Sequence, residues 1–106
     1  MKKLKVKGSW MQFIEPLKNL ETFDTHGSLR GSRREVKSLR PSVGKLDKRY
    51  HRSVQSEYTD YIVWSYDTPI AWHNSLGWYM PDERYSVTTT TQQGRIRTAL
   101  SSFTEL

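Results

Sequence analysis

The sequence predicts an α+β domain: a twisted antiparallel sheet of four or five strands, with a short N-terminal helix and a C-terminal helix. Three observations predict it. Tyr61–Thr91 holds three of the four tryptophans and no lysine, and it reads as strand after strand. Near the start, Trp10, Phe13, Ile14 and Leu17 recur at helical spacing. Near the end, Ile96, Leu100 and Phe103 do the same, with Ala99 beside them.

The elements follow in order. Lys3–Lys7 alternates polar and apolar, with Leu4 and Val6 on one side. This suits a short edge strand, where lysines discourage sheet-to-sheet association. Ser9 is placed to cap the first helix. Pro16 opposes its continuation, because proline cannot donate to the preceding turn. The helix is therefore expected near 10–15, or restarting at Pro16. Phe23–Gln55 is punctuated by Gly27, Gly31, Pro41 and Gly44, and reads as short strands and loops.

Tyr61–Tyr66 is β-branched and aromatic, hence a strand. Ile62, Trp64 and Tyr66 fall on one face and Tyr61, Val63 and Ser65 on the other. Asp67-Thr68 offers a tight reversal, and Pro69 opens the next strand, where a sheet tolerates it. Ile70 and Trp72 share a face in this reading. Asn74–Gly77 is a hairpin loop, Pro81-Asp82 a turn, and Tyr85–Thr88 a further strand. The absence of lysine then has a structural cause: a meander must bury one apolar face, and a charge within it would lose its water. The closing helix is expected from about 90 to 103. Its capping box is Thr89 with Gln92, or Thr90 with Gln93, and Gly94 costs it about 1 kcal/mol relative to alanine. The expected core comprises Phe13, Ile62, Trp64, Ile70, Trp72, Trp78, Ile96 and Leu100.

Length and composition bound the rest. A chain of 106 residues is the size of one domain, and it buries only about two thirds of its unfolded surface. The mean hydropathy is low, −0.78, yet 12% of the residues are aromatic, and such rings bury large areas. With no cysteine, disulfides, thiolate catalysis and thiolate zinc sites are excluded, and a reducing compartment fits. The basic N-terminus is followed by no apolar stretch of signal-peptide type, and no run approaches membrane-spanning length, so no membrane partner is expected.

The charge divides the chain. Residues 1–52 hold 14 Lys/Arg against 5 Asp/Glu, a net of +9; residues 53–106 hold 3 against 6, a net of −3. The expected organisation is one domain over residues 1–106, with a basic segment at 1–55 and an aromatic meander plus helix at 56–106. Arg30, Arg33, Arg34, Lys37, Arg40, Lys45, Lys48, Arg49 and Arg52 lie within 23 residues, interleaved with Tyr50 and His51. Cations spaced to meet phosphates, with rings for stacking, are the ingredients of nucleic-acid binding. No homeodomain, zinc-finger, RRM or KH signature accompanies them.

Catalytic signals are weak. His26, His51 and His73 form no short metal-binding pair. Asp24 and His26 would share a strand face as a dyad, but Asp24–Gly27 is equally ordinary turn chemistry. No serine lies in a nucleophile elbow, and no phosphate loop is present. No enzyme activity, cofactor or metal is expected.

The segments "SYDTPIAW" and "GW..PD.RYSVTTTTQQGRIR", with "FDTHGSLRG" and "GKLD" upstream, resemble a family of small uncharacterised proteins encoded by phages and prophages. The resemblance covers roughly residues 23–97 and is strongest over 61–97. Members often carry a His-Gln pair at the start of the closing helix, where this chain has Gln92-Gln93; any chemistry of that histidine is therefore not expected here. The resemblance implies phage or mobile-element origin and no particular activity; the expected place of action is the host cytoplasm. Together with the charge division, it gives two expectations: a non-catalytic protein that engages nucleic acid through the basic residues, or a stoichiometric inhibitor of a host nucleic-acid-handling or defence protein with an acidic surface. In the second, Trp72, Trp78 or Tyr79 would serve as anchors.

Overall fold

The computed structural model describes residues 2–4, 9–25, 27–34, 40–83 and 86–104. Six strands form one sheet in sequence order: β1 (Lys2–Leu4), β2 (Phe23–Thr25), β3 (Leu29–Arg33), β4 (Tyr61–Ser65), β5 (Thr68–Asn74) and β6 (Gly77–Tyr79). The sheet is mixed, not wholly antiparallel as expected, because β1 runs parallel to β2. The other neighbours are antiparallel. A parallel pair needs a long connection, and the N-terminal helix supplies it.

That connection starts as a 3-10 turn (Trp10–Phe13) and continues as α1 (Ile14–Lys18). Ser9 caps it as expected, its Oγ accepting from the Met11 amide at 3.2 Å. Pro16 is the third residue of α1, where its missing N–H costs no intrahelical bond. The helix ends with Leu20 at a φ of 53°. The Leu20 amide donates to the Leu17 carbonyl and the Glu21 amide to the Pro16 carbonyl, the two bonds of a Schellman motif.

α3 spans Val87–Ser101, so the expected strand at Tyr85–Thr88 is absent from the described part of that stretch. Its cap is Ser86, whose Oγ accepts from the Thr89 amide at 3.1 Å. The expected capping-box residues instead face the protein: Thr89, Gln92 and Gln93 are buried. Gln92 accepts from Ser65 Oγ at 2.6 Å and donates to Ser28 Oγ at 2.9 Å. It thereby ties α3 to the sheet through satisfied polar groups. Gly94 lies on the exposed side, and a Cβ there would touch nothing within 4 Å. Gly94→Ala is expected to raise stability by about 1 kcal/mol, read as a higher urea midpoint with an unchanged slope.

Both faces of the sheet are covered, whereas one buried face was expected. All five residues of β4 are buried. Tyr61 and Val63 join Phe13, Leu17, Phe23, Leu29, Ile96, Ala99 and Leu100 beneath α1 and α3. Ile62 and Trp64 join Leu46, Val54 and Trp72 on the other side. A continuous apolar strand is the mark of a sheet buried twice. Tyr61 reaches further still: its hydroxyl donates to the Glu21 carbonyl at 2.6 Å. Burial, aided by the nearby Glu21 charge, pushes that hydroxyl well above the ordinary tyrosine range.

A bulge overturns the expectation that Ile70 and Trp72 share a face. Val63 opposes Ala71, but Trp64 opposes Pro69, leaving Ile70 as the extra residue. Ile70 and Ala71 therefore both enter the first core, and Trp72 returns to the second. The β4–β5 reversal is at Tyr66-Asp67, one residue earlier than expected, since Ser65 pairs with Thr68. Trp78 is only half-buried, packed on the rim of the first core; it sits on a three-residue edge strand, beyond which no further strand is paired among the described residues. The remaining expected core residues are buried. Among the described residues no helix is long and apolar enough to cross a membrane.

Candidate nucleic-acid interface

The chain between β3 and β4 crosses the second face of the sheet and forms its cover. Leu46 and Val54, with Val43 and Tyr50 partly buried, supply the contact with Ile62, Trp64 and Trp72. Asp47 caps a 3-10 turn (Lys48–Tyr50), its Oδ1 accepting from the Arg49 amide at 3.0 Å, and α2 (His51–Val54) continues it. Helical spacing turns Tyr50 and Val54 inward and leaves Lys48, Arg49 and Arg52 exposed.

Hydrogen bonds fix this cover. Gln55 Nε2 donates to the Pro41 carbonyl at 3.0 Å, and Trp72 Nε1 donates to Ser53 Oγ at 2.9 Å. The Lys45 amide donates to Thr68 Oγ1 at 2.9 Å. Gly44, at a φ of 49°, is pressed against Asp67 and Thr68, a place with no room for a Cβ. His51 Nε2 donates to the Leu46 carbonyl at 2.8 Å, so this histidine is part of the cover's own frame.

The nine expected cations divide. Arg30 is exposed on the Trp64 side of the sheet, opposite Trp64 in register, with its guanidinium 4.6 Å from the indole centre. Arg40, Lys45, Lys48 and Arg52 are exposed on the covering segment. No carboxylate among the described residues lies within ion-pair distance of these five. Arg49 is exposed beside them and stacks on Tyr50 at 4.9 Å. It also pairs with Glu83 at 2.9 Å and approaches Asp47 at 3.8 Å. The hydrogen bond to Glu83, chiefly, holds the Arg49 guanidinium above its ordinary pKa.

Arg33 and Arg34 stand apart. Arg33 projects to the opposite side, where Nε donates to the Leu20 carbonyl at 2.6 Å and Nη2 to the Asn19 carbonyl at 3.2 Å. It closes the end of α1. Arg34 Nη1 donates to the Ser56 carbonyl, and its amide donates to the Asp60 carbonyl at 2.9 Å. These two arginines are taken up by the fold. Lys37 lies outside the described residues.

At the β6 edge, next to Arg49, three rings pack together. The Trp72 and Tyr79 centroids are 5.1 Å apart, and Tyr50 is 6.0 Å from Tyr79 and 6.4 Å from Trp72. Trp72 is fully buried, whereas Tyr79 is 44% exposed. Partial burial, then the proximity of Tyr50, raises the Tyr79 hydroxyl above its ordinary pKa. The sequence marked Trp72 and Tyr79 as either core or anchors; Trp72 is core, and Tyr79 is exposed.

His26 lies outside the described residues, and Asp24 Oδ1 accepts from the adjacent Thr25 amide at 2.8 Å. A carboxylate–imidazole pair does occur, but between Asp60 and His73, at 2.8 Å, with Trp78 packed edge-on against the imidazole. Sequence separation hid it. Thr89 bonds both Ser65 and Ser86, and Ser65 donates to Gln92, beside a cleft of about 410 Å³ that Lys45 and Thr68 also line. Among the described residues, no three His, Asp or Glu side chains are grouped to hold a metal ion.

Residues 18–99 match the model of a family of unknown function, DUF8033, and the chain belongs to that family. No curated protein and no solved structure matches it. The matched span includes the whole cationic cover and every strand except β1.

Proposed function

We propose that the protein is a non-catalytic binding protein of phage type that engages nucleic acid through Arg30, Arg40, Lys45, Lys48, Arg49 and Arg52. One observation carries the reading. These cations sit on one sheet face and the segment that covers it, and among the described residues only Arg49 meets a carboxylate. Cations employed in holding a fold are paired, as Arg33 and Arg34 are with carbonyls. Exposed cations that make no ion pair among the described residues remain available to phosphates and release counterions on contact.

The test is fluorescence anisotropy of generic labelled oligonucleotides, single-stranded and duplex, titrated across a range of salt. Sequence-independent binding that weakens steeply with salt is expected. Absence of binding even at low salt would overturn the reading, and would turn attention to an acidic host protein as the partner of the same surface.

A further inference from the structure

We infer that the nucleic acid is single-stranded, with a base stacking on the exposed ring of Tyr79. This rests on the reading just given and specifies its ligand. Phosphate contacts alone do not distinguish one strand from two; an accessible ring beside them does, because an unpaired base offers a free face and a paired one does not.

Tyr79 meets the requirements of such a platform. It is substantially exposed, at 44%. It lies on the edge strand, beside which no further strand is paired among the described residues. Its inner side rests on Trp72, which is fully buried and held by its indole N–H on Ser53. Tyr50 abuts both rings, and the Arg49 guanidinium lies over Tyr50. The ring is thus held before a ligand arrives, which reduces the ordering cost of binding. Lys48 and Arg52 project from the same short helical run as Arg49, so phosphates of a strand whose base rests on Tyr79 have cations at hand. The occupant follows from this charge: an apolar partner would gain nothing from the cationic rim, and an intact duplex would gain nothing from the ring.

Two measurements test this. In the anisotropy assay at low salt, Tyr79→Ala is expected to weaken single-strand binding about tenfold and to leave duplex binding unchanged. Tyr79→Phe, which keeps the ring, should match the native protein. The second measurement uses the unaltered protein, and so stands even if Tyr79→Ala misfolds. Single strands carrying 5-iodouracil are irradiated on the protein, and the adducts are mapped by mass spectrometry; Tyr79 is expected among them. Equal affinity of the native protein for both nucleic-acid forms, with Tyr79→Ala behaving as native and no adduct at Tyr79, would overturn this inference while leaving the general proposal intact. Failure of both forms to bind would overturn both.

Discussion

Replacing Gly31 by alanine is expected to destabilise the protein by about 3 kcal/mol, the upper part of the range for overfilling a packed interior. The strand context is ordinary; the neighbours are not. A Cβ at Gly31 would overlap the Tyr61 hydroxyl and the Phe23 ring, approaching Phe23 Cδ1 to 2.8 Å. Neither neighbour can yield. Tyr61 is fully buried and donates to the Glu21 carbonyl. Phe23 is 1% exposed and packs against Phe13 at 5.7 Å. Relief would require moving β2 away from β3, whose register here is the single pair Phe23–Gly31. The measurement is thermal or urea unfolding beside the native protein. A fall of about 10–20 °C in the midpoint is expected for a domain of this size. An unchanged midpoint would mean that β2 does not lie against β3 as described.

The second large effect concerns binding. Lys48→Ala combined with Arg52→Ala is expected to lower single-strand affinity about 25-fold at 0.1 M salt. Each phosphate contact contributes roughly the 0.7 power of salt concentration, or about fivefold at that salt. Both side chains are exposed and make no ion pair among the described residues, so stability should change by less than about 0.5 kcal/mol. The control is Lys18→Ala with Arg97→Ala. These side chains are also exposed, but on the helices covering the opposite face, and affinity should stay within about twofold of native. Equal losses in the two variants would mean that total charge, and not this surface, governs binding.

How far the sequence reveals this molecule depends on how local each cause is. Ser9 capping, the β4–β5 and β5–β6 hairpins and the apolar stripe of α3 follow from neighbours within a few residues, and they are legible. The parallel β1–β2 pair is not, because three-residue strands carry little periodic signal and their pairing is non-local. The bulge at Ile70 is equally hidden, since one inserted residue reverses every face after it. The burial of both faces of β4 did leave a sign: Tyr61–Trp64 is an unbroken apolar run, as strands covered on both sides tend to be. The threonines after Ser86 favour a strand by propensity, yet the cap and the buried polar contacts of Thr89 and Gln92 make them helical.

For the interface, composition marks the segment but does not sort its members. Lys48, Arg49 and Arg52 point outward because Tyr50 and Val54 between them point inward, which helical spacing foretells. The guanidinium groups of Arg33 and Arg34 are engaged by carbonyls 13 to 22 residues distant, and no local pattern announces that. The exposure of Tyr79 against the burial of Trp72 depends on which strand is the last in the sheet, a property of the whole fold.

The most direct measurement is the slope of log affinity against log salt for a generic single strand. Among the described residues, five exposed cations without a carboxylate partner, with Arg49 partly engaged by Glu83, give an expected slope between about −3 and −4. A slope near zero, or no measurable affinity at the lowest salt, would contradict the account.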